Sequence, residues 1–205
     1  MKEYFPIGKF GGGKHESLSG IGSSLANTTT LRAELVRLFL DRKIDMIDDC
    51  PCGDFLWMNQ TLLDCENSGL SIDYIGIDVQ PDLIALNDGR HGGTQRQFNV
   101  GDVRHFDFRN GSLIVIRDCF IHLSNADVQL ALENLQRKCP DSLILSTTYP
   151  GRSKNENIST GRFRPINLEK KPFSLSKPER YINENYPSTQ FWDKSLGLWR
   201  VKKMR

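Results

Sequence analysis

Several features that would narrow the function of this chain are missing. No C-x-x-C pair occurs among its five cysteines, Cys50, Cys52, Cys65, Cys119 and Cys139. The number is odd, and Cys50 and Cys52, one residue apart, would point in different directions, so no disulfide framework is expected. The four histidines show no zinc spacing, and no metal site is predicted. The thiols read as reduced, small and mostly buried, as in a cytoplasmic protein. Lys2 and Glu3 are followed by no long apolar run, so no signal peptide is read, and no stretch approaches membrane-spanning length. A dinucleotide fingerprint is also missing. Gly20-x-Gly22 comes nearest, but no strand precedes it and Leu25 stands where the third glycine belongs.

What is present suits one soluble domain over residues 1–205, with 38% hydrophobic and 25% charged residues. The net charge of +2 hides an uneven distribution. Residues 1–149 hold 14 Lys/Arg against 20 Asp/Glu, and residues 150–205 hold 13 against 5. The basic end is either a solvated surface or a face for an anionic substrate.

Apolar periodicity places the elements. Leu31, Leu35, Leu38 and Phe39 mark one face of a helix over 30–42, with a capping candidate in Thr28 to Thr30. Ile44, Met46 and Ile47 lead a strand into Asp48-Asp49-Cys50-Pro51-Cys52-Gly53-Asp54, an acidic pair followed by a small-residue turn. A strand that stops in such a turn and restarts as a helix leaves backbone N–H groups free at the carboxyl end of a sheet, where open α/β sheets bind nucleotides. Gly53 permits close approach of the backbone to a ligand. Asp78 ends the next apolar run, Tyr74 to Asp78, at the place of a carboxylate that accepts from two ribose hydroxyls.

Further strand ends follow at Val100 to Val103 and Ile114 to Asp118. A helix begins at Pro81 and ends in the turn-like Asn87-Asp88-Gly89. Ser124 caps the clearest helix, and Leu143 to Thr147 reads as a fifth strand. Residues 149–180 lose all periodicity. Leu196 to Val201 is the last strand, with residues 181–192 as candidates for the sixth. Strands alternating with helices predict a parallel sheet with helices on both faces.

The ordered motifs D-x-P-C-G-D (Asp49–Asp54), G-I-D (Gly76–Asp78), G-D-V (Gly101–Val103) and R-D-C-F-I-H-L (Arg117–Leu123) resemble those of class I S-adenosylmethionine (SAM) dependent methyltransferases. Together with Ser19–Leu25 and a K-S-L-G-L-W ending at Lys194–Trp199, they resemble a small bacterial and viral subgroup. One departure is plain: Pro51 and Phe55 stand at the outer positions of that superfamily's G-x-G-x-G turn.

The resemblance implies an α/β, Rossmann-like doubly wound fold, with a mostly parallel seven-stranded sheet and an antiparallel edge strand. It divides the chain into an arm or lid over 1–27, a SAM-binding core over 28–148, and a basic substrate-covering segment with the last strand over 149–205. It assigns the cofactor S-adenosyl-L-methionine to Asp49, Cys50, Gly53, Asp78, Val79, Asp102, Val103 and Arg117, with Asp49 and Gly53 at the methionine end, Asp78 at the ribose, and Val79, Asp102 and Val103 at the adenine. Arg117 and Asp118 face the methionine end or the acceptor, and Asp118 joins His122 as a catalytic candidate.

His122 is the candidate general base, because an imidazole titrates near neutrality; a structural histidine is the alternative. Arg162 and Arg164 are candidates for holding an anionic acceptor. The expected reaction is O-methylation of a small molecule or glycan, neutral or anionic. Alternatives are a nucleic-acid methyltransferase, though no N-P-P-Y type motif occurs, an NAD-dependent oxidoreductase, or a non-catalytic nucleotide-binding module. The chain is expected to have no membrane association.

Overall fold

The computed structural model describes residues 16–185 and 188–204. The first fifteen residues of the expected arm, Gly11 to Gly13 among them, lie outside the described residues. The chain folds as two compact units, Met1–Gly101 and Asp102–Arg205. Seven strands make a mixed, mostly parallel sheet with helices around it, in the order β3-β2-β1 within the first unit and β4-β5-β7-β6 within the second.

In the first unit, α1 (Thr29–Arg42) buries Leu31, Leu35, Leu38 and Phe39, the face that the spacing predicts. Thr28 precedes it but does not cap it; its hydroxyl donates back to the Ser24 carbonyl at 2.8 Å. Lys43, at φ 51, ends the helix, and the Ile44 N–H closes on the Phe39 carbonyl. The strands β1 (Met46–Asp49), β2 (Asp73–Asp78) and β3 (Arg96–Val100) are parallel neighbours. Helix α2 (Leu56–Asn67) links the first two. Helix α3 (Pro81–His91) links the second and third, and takes Pro81 in its first turn as expected. It does not stop at Asn87. The Asn87 side chain is buried and donates to the Gly53 carbonyl at 2.8 Å, so this turn-forming residue is used across space and the helix runs on to His91.

In the second unit, β4 (Leu113–Ile116) is buried at every position and pairs in parallel with β5 (Leu143–Thr148). Helix α4 (Asn125–Lys138) starts at Ser124, whose hydroxyl accepts from the Asp127 N–H at 3.1 Å. β7 (Ser195–Arg200) lies antiparallel to β5, and β6 (Arg180–Asn183) antiparallel to β7. The K-S-L-G-L-W ending is explained in part by packing. A Cβ at Gly197 would lie 2.3 Å from the Trp199 ring, whose N–H donates to the Ser176 carbonyl.

Residues 149–179 form no helix or strand, yet they are tied down. The Asn155 amide donates to the carbonyls of Asn167, Lys170 and Lys171, and the Asn167 amide to those of Pro150 and Arg152. Side-chain amides here do what a ladder does elsewhere: they satisfy carbonyls that the fold takes from water. Ile166, Leu168, Phe173 and Leu175 anchor the segment in the core.

Candidate functional site

At the end of β1 the chain turns through Asp49 to Phe55. The Asp49 carboxylate is 1% exposed and accepts from the Tyr74 hydroxyl at 2.9 Å. Burial, and then the Asp49 charge, push the Tyr74 phenol well up, so it stays a donor. Cys50 is buried as well. The N–H groups of this turn are not left open, which corrects the expectation from sequence. Cys52 N–H donates to the Ile77 carbonyl at 2.8 Å, Gly53 N–H to Asp78 Oδ2 at 3.1 Å, Asp54 N–H to Ser19 Oγ at 2.9 Å and Phe55 N–H to the Cys52 carbonyl at 3.2 Å.

Asp78 is therefore an organiser of the turn before it is anything else. Its Oδ1 accepts from the Gln80 N–H at 3.1 Å, while Oδ2 holds Gly53. Only 6% of the residue is exposed, and burial raises its pKa, with N–H groups of Gln80, Gly53 and Val79 pulling the other way. A carboxylate has about four acceptor sites, so acceptor capacity remains beyond these N–H groups. Val79 is half-buried beside it. These residues fit the ribose and base of a nucleoside.

The described part of the arm closes on the same turn. Leu18 N–H and Ser19 Oγ donate to the Asp54 carboxylate at 2.6 and 3.2 Å. Gly53 stands at φ +55, and a Cβ there would come within 2.3 Å of Ser19 Oγ. Phe55, at φ 61, is in the left-handed region that glycine would favour. Its ring is fully buried against Tyr74 at 4.7 Å, Phe98 at 5.0 Å and His91 at 5.2 Å between centroids. The missing glycine is thus replaced by an aromatic cluster.

In the second unit, Asp102 is already engaged as an acceptor. Both of its oxygens are held by the Arg104 fork, at 2.7 to 3.2 Å, and Arg104 also pairs with Asp127 at 2.6 Å. Val103 is buried.

β4 ends in a buried ion cluster. Arg117 pairs with Glu184 at 2.6 Å and lies 3.6 Å from Asp118. Lys194 reaches Asp118 at 2.7 Å and Glu184 at 3.3 Å. Asp118 takes φ 53, and its N–H donates to Thr147 Oγ1 at 2.8 Å. Burial would raise the Asp118 carboxyl, but Lys194 and Arg117 outweigh it and hold it well below the usual carboxylate range. Arg117 is thus bound into the protein by two carboxylates, a different task from the cofactor contact expected of it. Glu184, Lys194 and Thr147 were missed from sequence. Lys194 opens the K-S-L-G-L-W ending, and that position was the available signal.

His122 lies just before α4, and its Nδ1 is 2.9 Å from the Arg162 carbonyl. A carbonyl only accepts, so Nδ1 carries the proton and the neutral ring has its lone pair on Nε2. Arg162 is exposed. Arg164 is not an anion-binding residue: it is 4% exposed, and its guanidinium donates to the Phe120 and Glu156 carbonyls and the Asn125 side chain. Burial lowers its pKa to about 10. Among the described residues no group of three His, Cys, Asp or Glu side chains could hold a metal ion, and no helix is long and apolar enough to cross a membrane. None of the five cysteines forms a disulfide.

No protein-family model matches this sequence, and no curated protein matches it. Solved structures do match. The Burkholderia thailandensis 1,6-didemethyltoxoflavin-N1-methyltransferase, solved with its substrate and S-adenosylhomocysteine, aligns at TM-score 0.59 and 12% identity, over 85% of this chain and 79% of that one. The magnesium protoporphyrin IX methyltransferase ChlM of Synechocystis PCC 6803, with bound SAM, aligns at 0.56 and 12%, over 84% and 79%. The CMeT domain of the citrinin polyketide synthase aligns at 0.57 and 13%, and there this chain covers 78% of itself but only 47% of the other. The chain has the class I methyltransferase fold. Within that fold, Asp49, Gly53 and Asp78 stand at the carboxyl ends of the first two strands of the first unit, as their order in the sequence predicts. The likeness shows the fold.

Proposed function

We propose that this protein is a SAM-dependent methyltransferase that methylates an oxygen of a small-molecule acceptor. The carrying observation is the Asp78 carboxylate, buried at the tip of β2, where backbone N–H groups including those of Gly53 and Gln80 fix its orientation. The methyltransferase fold, and the SAM or S-adenosylhomocysteine seen in two of the matched structures, support reading that carboxylate as the acceptor of the ribose hydroxyls of that cofactor. Val79 would pack on the adenine. Asp49, fixed by Tyr74, would receive the methionine ammonium.

SAM supplies an electrophilic methyl group on a sulfonium that is already a good leaving group. The protein's own part is to hold both reactants at about 3–3.5 Å, exclude water and accept a proton. Nε2 of His122 is the group we assign to the proton. The Arg162 carbonyl accepts from Nδ1 and so fixes the tautomer in which Nε2 is the basic nitrogen. Asp118, kept ionised by Lys194 and Arg117, orients donors of the acceptor and does not serve as the base, since a depressed carboxyl is a weak one. Exposed Arg162 is the residue left to meet an anionic acceptor.

Calorimetry with SAM, S-adenosylhomocysteine and NAD tests the reading. SAM and S-adenosylhomocysteine should bind and NAD should not, and Asp78→Ala should weaken SAM binding about tenfold or more, the worth of two charge-assisted hydrogen bonds. NAD binding with no SAM binding overturns the reading.

A further inference from the structure

Tyr149 follows β5 directly, beside the ion pairs that close this edge of the second unit's sheet. The residue is 2% exposed. Phe191 meets its ring edge-on at 6.1 Å, and the Arg152 guanidinium lies 5.8 Å from the ring centroid. Its backbone N–H donates to the Ile166 carbonyl at 2.7 Å. Yet its hydroxyl has no hydrogen-bond partner among the described residues, and the oxygen is not sealed from solvent. A buried phenol normally finds a partner for its O–H, as Tyr74 does on Asp49 at 2.9 Å. A phenylalanine would fill the same space with no polar group to satisfy. The open hydroxyl of an otherwise enclosed side chain is therefore set for a partner from outside the chain.

The neighbouring groups narrow that partner. Burial, and then the charges of Asp118, Glu184 and Asp193, push the phenol up, so it keeps its proton and offers one donor. Of those three carboxylates only Asp118 reaches solvent, with 27% of its side chain exposed against 0% for Glu184 and 1% for Asp193. The cations Arg117, Lys194 and Arg152 are already paired with these same carboxylates. An arriving anion would thus meet carboxylates whose cations are taken. An ammonium would suit Asp118 but bring no acceptor for the phenol proton. A hydroxyl, or two adjacent ones, does both: it accepts from Tyr149 and donates to Asp118.

Aromatic rings lie close by. Trp192 is 65% exposed, and a Cβ on Gly151, two residues after Tyr149, would come within 2.9 Å of its indole. Phe163, also exposed, packs edge-on to Phe191 at 5.6 Å. A pyranose has the complementary build, with apolar C–H faces and hydroxyls around its edge. Its face can cover an exposed ring while its edge hydroxyls reach polar groups, so neither surface is left unmatched.

We propose that the second unit carries a carbohydrate site at the carboxyl end of β5. Tyr149 donates to, and Asp118 accepts from, hydroxyls of a neutral sugar whose C–H face lies against Trp192. The site is contained in the second unit and stands on that unit's residues alone.

The test uses the full chain without SAM. The probes are methyl glucoside, methyl galactoside and methyl mannoside, with cyclohexanol and inorganic phosphate as rivals, and binding is read by NMR titration. At least one glycoside should bind, more tightly than either rival. Tyr149→Phe should weaken that glycoside about fivefold, a difference of about 1 kcal/mol. The same variant should unfold at the parent's midpoint or above it, because no bond within the protein is lost. Trp192→Leu, at an exposed position, should fold and weaken the glycoside by a similar factor. A rival that binds as tightly as the best glycoside, no glycoside binding at tens of millimolar, or full affinity in Tyr149→Phe overturns the site. A lowered midpoint in Tyr149→Phe would show that the hydroxyl serves the fold, and overturns it too. SAM binding is a separate measurement, so the methyl-transfer reading stands or falls on its own.

Discussion

Two strand ends solve one local problem by opposite means. The turn after β1 passes through Phe55 at φ 61, and the chain after β4 passes through Asp118 at φ 53. For any residue but glycine this backbone costs roughly 1–2 kcal/mol. At Phe55 the cost is offset by apolar burial, with a wholly enclosed ring among Tyr74, Phe98 and His91. At Asp118 it is offset by charge, with Lys194 and Arg117 on the carboxylate and the Thr147 hydroxyl donating to it. Packing is short-ranged and indifferent to pH, which suits a turn that must present a fixed cradle. Ion pairs are directional and titrate, which suits a place where donors and protons are handled.

The sharpest way to break this contrast is to remove one charge from the cluster. Arg117→Met leaves Glu184 buried with one cation fewer, and should cost about 3–5 kcal/mol in urea unfolding. The double change Arg117→Met with Glu184→Leu should recover most of it, because the expense lies in the uncompensated charge. A single variant as stable as the parent would mean the cluster is not desolvated.

Next come substitutions at Phe55. Phe55→Ala should cost about 3–5 kcal/mol from the lost ring. Phe55→Gly loses the same ring but relaxes the backbone, so it should be the more stable of the two, by about 1 kcal/mol after the glycine's greater unfolded-state entropy is counted. The reverse order in urea unfolding would show that the left-handed turn carries no strain.

The smallest effects separate the regions by pH. The Asp118 carboxyl is depressed in the fold, so its contribution is present above the unfolded value near 3.9 and is lost as pH falls toward the folded value. The Asp78 carboxyl is raised by burial, so it weakens the fold as pH rises through its folded value, and that cost disappears in acid. Unfolding free energies from about pH 3 to 6, measured for the parent, Asp118→Asn and Asp78→Asn, should therefore give difference curves of opposite slope. Two curves of the same slope would refute the assignment of burial to one carboxyl and ion pairing to the other.

Much of the fold was legible in the spacing of apolar residues. Leu31, Leu35, Leu38 and Phe39 face the core as a helical repeat requires, and β4 is buried along its length as an unbroken apolar run requires. Asp49 and Asp78 close their strands as expected. Other features were not legible. β6 is four residues, Arg180–Asn183, at the start of the 181–192 stretch expected to hold it, but its bounds follow from the ladder that β7 offers and not from an apolar pattern. Arg162 and Arg164 look alike in sequence, yet one is exposed and the other is a buried strut.

By itself, then, the sequence determined which faces are buried and which carboxylates finish the strands, because side-chain direction repeats with a period set by the backbone alone. Only the tertiary structure decided that Ser19 and Asp78 take up the turn's N–H groups, that Arg104 occupies Asp102, and that Lys194 sits on Asp118. Those pairings join residues by where the folded chain brings their polar atoms, and a donor cannot be matched to its acceptor until loop closure has set the distance between them.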